Sequence, residues 1–282
     1  MKKTLCVIDG DIVLYQCCSA VEKEIDWGGD WWTLHSDFME VRMMLDVMLD
    51  DLKTTVGASK SLICLSDSGN FRKSILPSYK ANRVGGRKPM CYVPAKEYLI
   101  SNYEVMIEPG LEADDCVSIV ATGPRSKHRR CSRVVMISED KDFLGVPGLL
   151  YNPRTGQMSS TSVEDADMHH LFQTLTGDAT DNYKGCPGIG PVKARESLEK
   201  DPSWSTVVSL YEKAGLSEED ALVQARVARL LRHQDYNSRT KEIKPWNPPT
   251  KSTTPPSRTP EPESLSAPGP IGTADPARAA MT

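Results

Sequence analysis

Two kinds of metal-ligand spacing are missing from this chain. No Cys-x-x-Cys pair occurs among its eight cysteines, and none of the five histidines, His35, His128, His169, His170 and His233, stands at His-x-x-x-His spacing. Neither a thiolate nor an imidazole zinc site is therefore written into it. Cys6 and Cys64 lie in apolar, strand-like runs, which reads as reduced core thiols. Long apolar runs are lacking as well, so no segment is predicted to cross a bilayer. Asp9 and Asp11 interrupt the N-terminal apolar run before it could serve as a signal sequence. A soluble, cytoplasmic protein is expected. The last absence is local: Asn70 to Lys96 holds no acid, while Arg72, Lys73, Lys80, Arg83, Arg87, Lys88 and Lys96 put seven positive charges in 27 residues. With Tyr79 and Tyr92 interleaved, that pattern suits a nucleic-acid face better than a merely solvated loop.

What is present is a repeating unit. Thr4 to Ile8, Ser61 to Ser66, Tyr103 to Ile107 and Val134 to Ile137 are short apolar segments, and acids follow each: Asp9 with Asp11, then Asp67, then Glu112, Asp114 and Asp115, then Asp140 and Asp142. Helical patterns lie between them, at Ile12 to Ala20 and at Val41, Met44, Leu45, Met48, Leu49 and Leu52, the second with Ser36 as N-cap. Strand, acid, helix in succession predicts an α/β fold with a parallel sheet, whose ligands gather at the carboxyl ends of the strands. Leu149 to Tyr151 reads as a fifth strand, the Trp27 to Trp32 region and Asn152 to Thr161 as loops, and Val163 to Thr176, Ser203 to Ala214 and Glu218 to Tyr236 as helices. From Pro245 onward, ten of the chain's 20 prolines fall in 38 residues, which predicts a disordered tail.

Gly177 to Ala194 joins two chemistries. Asp178 and Asp181 stand three apart in a turn-prone run, so both carboxylates can face one side as hard ligands. Gly185, Gly188 and Gly190 follow, a loop able to leave main-chain N–H groups free for phosphate, with Pro191 opening a helix and Lys193 adding a charge. So many carboxylates in one place would raise one another's pKa unless cations neutralised them. Oxygen-only donors point to Mg²⁺ or Mn²⁺, with room for two ions. The net charge of −4 does not oppose nucleic-acid binding. With nine acids counted into one metal site, the remainder carries +5.

The motifs Val7 to Asp11, Ser66 to Arg72, Pro77 to Arg83, Glu112 to Asp115, Ser138 to Asp142 and Gly177 to Ala194 together resemble the 5′ nuclease family of flap endonucleases, DNA polymerase I 5′ nuclease domains and phage 5′ to 3′ exonucleases, nearest to the podovirus type. The resemblance implies a parallel-sheet, PIN-like core over residues 1–162, with a helical arch at about 70–100. A helix-hairpin-helix subdomain would occupy 163–244, and the Pro-rich tail 245–282. It implies that Asp9, Asp67, Glu112, Asp114 and Asp115 serve a first metal and Asp140, Asp142, Asp178 and Asp181 a second. Lys80 and Arg83 would engage the scissile phosphate. Arg72, Lys73, Arg87 and Lys88 would face DNA, and Gly185, Gly188, Ile189, Gly190 and Lys193 would grip duplex backbone around a bound K⁺. Glu139 stands where the family pattern has a small polar residue.

The expected activity is metal-dependent 5′ to 3′ exonuclease and flap endonuclease cleavage with RNase H-like primer removal. It would act on DNA with 5′ ends, flaps or RNA primers, during phage replication and host DNA degradation. A monomer working beside replication proteins is expected. The rival readings are a non-catalytic DNA-structure-binding protein of the same fold and a PIN-type ribonuclease.

Overall fold

Thr4–Asp9 is buried at all six positions, as a strand covered on both faces must be. In the computed structural model, which describes residues 3–83, 85–124 and 131–249, this segment is β1, in the middle of the sheet. It leads through α1 (Gly10–Val21) to a hairpin, β2 (Lys23–Asp26) and β3 (Trp32–His35), then α2 (Phe38–Thr55), β4 (Lys60–Cys64), the short α3 (Arg72–Ile75), α4 (Tyr92–Asn102) and β5 (Val105–Met106). After α5 (Ala113–Thr122) come β6 (Arg133–Ile137), β7 (Gly148–Asn152) and β8 (Gln157–Thr161). The sheet order is β5-β4-β1-β6-β7-β8, parallel except where β8 returns against β7. Alternate residues of β1 feed two cores. Cys6 and Ile8 pack with α1, α2 and α4, while Leu5 and Val7 pack with α5 and with Leu230 and Leu231. Gly10 is required where β1 turns into α1, since a Cβ there would lie 2.5 Å from Ile63 Cγ2 and 2.7 Å from the Cys64 carbonyl.

The remaining elements are α6 (Val163–Thr176), α7 (Pro191–Lys200), α8 (Trp204–Lys213), α9 (Glu218–Ala228) and a small pair, β9 (Tyr236–Asn237) with β10 (Glu242–Ile243). Both expected parts, core and helical region, fall within one compact unit, Met1–Pro248. None of the eight cysteines forms a disulfide and all are buried. Among the described residues no helix is long and apolar enough to cross a membrane. The proline-rich residues 250–282 and most of the basic loop at 125–133 lie outside the described residues.

Several expectations need correction. The loop expected at Trp27 to Trp32 is present from Trp27 to Trp31 but joins two unexpected strands as the tip of the β2–β3 hairpin, with Trp32 opening β3, and 157–161 is an edge strand. The run Gln157–Thr161 carries one apolar side chain, so no alternation announces it; Asn152 sets the turn by accepting the Arg154 and Thr155 N–H groups at 2.9 and 3.2 Å. The last helix stops at Ala228, because Arg229 turns extended and Leu230 and Leu231 are drawn into the core. The N-cap of α2 is Asp37, not Ser36: its Oδ1 accepts the Met39 N–H at 2.7 Å and the Glu40 N–H at 3.4 Å. Asp37→Ala is accordingly expected to cost about 1 kcal/mol, checked by urea denaturation.

Candidate active site

The sheet brings the strand-end acids to one edge, and the turn before α7 adds two more. Asp9, the last residue of β1, is buried and accepts a hydrogen bond from Ser138 Oγ at 3.1 Å. Ser138 Oγ in turn accepts the Asp140 N–H at 3.1 Å. Burial, and then the charge of Asp11, push the Asp9 carboxyl up to about 7. Asp11 was not expected in the site. Its Oδ1 accepts the Ser66 N–H at 3.3 Å, and the only sequence signal was its place in Asp9-Gly10-Asp11.

Cations from the basic segment lie directly on the acids. The Lys80 ammonium is 2.5 Å from Glu112 Oε1 and 3.5 Å from Asp181 Oδ2, and Arg83 Nη2 donates to Asp181 Oδ1 at 2.7 Å. Tyr79 O–H lies 2.9 Å from Glu112 Oε2 and 2.8 Å from Asp181 Oδ2. Lys80 holds a left-handed φ of 53°, costly for a residue with a Cβ; there its own N–H reaches the Asp181 carbonyl at 2.8 Å. Burial would raise the Glu112 carboxyl, but Arg72 and Lys80 outweigh it and hold it at about 2. Asp114, two residues on, is pushed well above the usual carboxylate range by burial and by Glu112 and Asp9.

The third group follows β6. Asp140 Oδ1 accepts the Asp142 N–H at 2.9 Å and so caps the 3₁₀ turn Lys141–Gly145. Asp142 Oδ1 accepts from Gln173 Nε2 of α6 at 2.7 Å. Burial, then Asp140 and Asp181, raise the Asp142 carboxyl to about 7. Asp178 Oδ1 takes the Thr180 and Asp181 N–H groups at 2.7 and 3.2 Å, and Lys141 Nζ lies 2.8 Å from its Oδ2. Asp9, Asp11, Glu112, Asp114, Asp140, Asp142, Asp178 and Asp181 thus form a single electrostatically linked set.

Other expected residues fall elsewhere. Arg72, expected to face DNA, is buried and clamps Asp115, with Nη1 and Nη2 each 2.7 Å from one carboxylate oxygen. Asp115, expected as a metal ligand, is consumed by that clamp and by the Leu231 N–H at 3.0 Å. Asp67 accepts the Gly110 and Gly69 N–H groups at 2.8 and 3.2 Å and shares no hydrogen-bond partner with the linked acids. Gly185, expected to grip DNA, is buried against Gly177, and its N–H goes to Gln224 Oε1 at 3.0 Å. Gly188, Gly190, Lys73, Lys88 and Lys193 are exposed, as is Arg87, whose guanidinium is paired with Glu22; Ile189 is half-buried. Glu139 accepts from Gln16 Nε2 at 3.0 Å.

The donor set, carboxylate oxygens without histidine or thiolate, fits a hard divalent cation. As the side chains stand, no three acids among the described residues enclose a metal position; Lys80, Arg83 and Lys141 lie against them instead. The same crowding predicts a pH dependence. Asp9 and Asp142 bind a proton more tightly when folded, near 7, than an unfolded carboxyl near 4. Their contribution is therefore full below about pH 4 and lost as pH rises toward 7, a fall on the order of a few kcal/mol. Glu112, held low, acts oppositely, and only under acid conditions, between about 4 and 2. In chelator, urea midpoints should decrease from pH 5 to pH 8.

The family model for the 5′–3′ exonuclease N-terminal, resolvase-like domain matches residues 4–166. An exodeoxyribonuclease of Enterobacteria phage T3 is 33% identical, over 87% of this chain and 93% of its own. An exonuclease of Escherichia phage T7 is 32% identical, over 87% of this chain and 94% of its own. Among solved structures, a flap endonuclease of bacteriophage T5 in complex with DNA and metal ions superposes with a TM-score of 0.62 at 15% identity, covering 81% of this chain and 89% of that one. At that identity the superposition shows the shared fold.

Proposed function

The chain belongs to the 5′–3′ exonuclease family, and on that premise we propose that it is a divalent-metal-dependent nuclease that cuts DNA at 5′ ends and flaps. The reading rests on one contact set, in which Lys80 and Arg83 of the basic segment meet Glu112 and Asp181 of the acid set. A group that binds both metal and phosphate needs its carboxylates and cations at the same place.

Asp9, Asp67, Glu112, Asp114, Asp140, Asp142, Asp178 and Asp181 are the residues that would hold two Mg²⁺ or Mn²⁺ ions. Held by these carboxylates, the ions would supply a lowered pKa for an attacking water and charge stabilisation for the leaving 3′ oxygen. Lys80 and Arg83 then release their carboxylates and neutralise charge on the scissile phosphate. Gln173 fixes the orientation of Asp142. Gly188 to Gly190, the first turn of α7 and Lys193 would hold a phosphate of the duplex backbone, and the same loop would take a K⁺. Removal of RNA primers and degradation of host DNA during phage replication are the proposed roles.

The test is product mapping on a 5′-labelled flap substrate with Mg²⁺, before and after EDTA, beside RNA–DNA hybrid and RNA controls. Metal-dependent 5′ products from DNA and hybrid are expected. Cleavage in EDTA, or of RNA alone, would overturn the reading.

A further inference from the structure

Trp27, Trp31 and Trp32 stand 67%, 75% and 58% exposed on the β2–β3 hairpin, and the acid site uses none of them. Strand pairing sorts the side chains of this hairpin by face. Lys23 pairs with His35 and Ile25 with Thr33, while Glu24 pairs with Leu34 and Asp26 with Trp32. Successive side chains alternate across a strand, so the second group lies on the opposite face. The Trp27 N–H bonds the Trp31 carbonyl at 2.9 Å, which carries the register one step further. Trp27 and Trp31 are therefore cross-strand neighbours on the face of Lys23, Ile25, Thr33 and His35, and the strand acids Glu24 and Asp26 are on the other.

Two contacts make the face a prepared surface. Trp27 Nε1 donates to Thr33 Oγ1 at 2.8 Å, which fixes that ring against the hairpin. At the tip, Asp26 Oδ1 accepts the Gly28 N–H at 2.8 Å, engaging its carboxylate in the turn. The root of the hairpin joins the basic segment: Glu22, one residue before β2, accepts from Arg87 Nη1 at 2.9 Å and from the Met90 N–H at 2.7 Å. Arg87 and Lys88 thus lie at the base of the same element. The two exposed indoles share their face with Lys23 and His35, and the strand acids Glu24 and Asp26 are on the other; such a face matches a nucleic-acid strand, whose bases stack on the rings while a phosphate meets the Lys23 ammonium.

We propose that the Trp27 and Trp31 face of this hairpin is a stacking platform for an unpaired DNA strand, the single-stranded segment of a flap or frayed end. The identity of the ligand rests on the nuclease reading above. Unpaired bases are specified because paired ones already cover each other's faces.

Binding measured in EDTA separates this proposal from catalysis. Fluorescence anisotropy with labelled oligothymidine should show W27A/W31A weakened about tenfold or more, from stacking worth about 1–3 kcal/mol per base. W27F/W31F should recover most of the affinity, W32A should match wild type, and affinity for a blunt duplex should be unchanged in W27A/W31A. Undiminished oligothymidine binding by W27A/W31A, or an equal loss on duplex, would overturn the platform. Neither result bears on metal-dependent cleavage, and loss of cleavage elsewhere leaves these binding measurements standing.

Discussion

The Asp140→Asn protein is expected to bind a 5′-flap DNA with near wild-type affinity and to cut it roughly a thousandfold more slowly, a loss of about 4 kcal/mol in transition-state stabilisation. Asparagine is the informative replacement. Asp140 Oδ1 caps the turn that carries Lys141 and Asp142 by accepting the Asp142 N–H at 2.9 Å, and an amide oxygen keeps that bond. Only the charge is removed. Alanine would also uncap the turn, adding a stability cost of about 1 kcal/mol. Asp178 is a poorer probe, since its carboxylate organises the Thr180 and Asp181 backbone and pairs with Lys141. Single-turnover rates with Mg²⁺, beside affinities in EDTA, decide the matter. A wild-type rate for Asp140→Asn would remove Asp140 from the chemistry.

Much of this site was legible because parallel strands announce themselves twice, by an uninterrupted apolar run and by the acid that follows it. Thr4–Asp9 and Arg133–Ile137 are such cases, and adjacent pairing in the sheet puts Asp9 and Asp140 on one edge. What stayed hidden depends on partners distant in sequence. Glu112, Asp114 and Asp115 occupy one helical turn and look equivalent as letters, yet Arg72, from an element 43 residues earlier, takes Asp115 and leaves the Asp114 side chain without a hydrogen bond among the described residues. In the same way Gly185 and Gly188 share a loop and a positive φ, but only Gly185 abuts Gly177. The strands on either side of the hairpin tip escaped for a different reason: each is four residues long and largely exposed, so they carry no core pattern.

Arg72→Met is expected to lower stability by about 3–5 kcal/mol. All five N–H donors of the guanidinium are used. Nε donates to the Val227 carbonyl at 2.9 Å, Nη1 to Glu112 at 3.2 Å and Asp115 at 2.7 Å, and Nη2 to Asp115 at 2.7 Å and the Arg229 carbonyl at 2.6 Å. One side chain therefore ties α3 to α5 and to the end of α9. Methionine fills similar space but abandons Asp115, whose side chain is 0% exposed, as a buried charge without its partner. Lysine should fail almost as badly, because its compact ammonium cannot span both oxygens and two carbonyls. The double change R72M/D115L separates charge from packing: removing both ions together should recover a large part of the loss, since a buried pair is often no better than apolar residues of its size. Urea denaturation of the two variants reads this directly. If R72M alone unfolds at the wild-type midpoint, the arginine is not the tie between these helices.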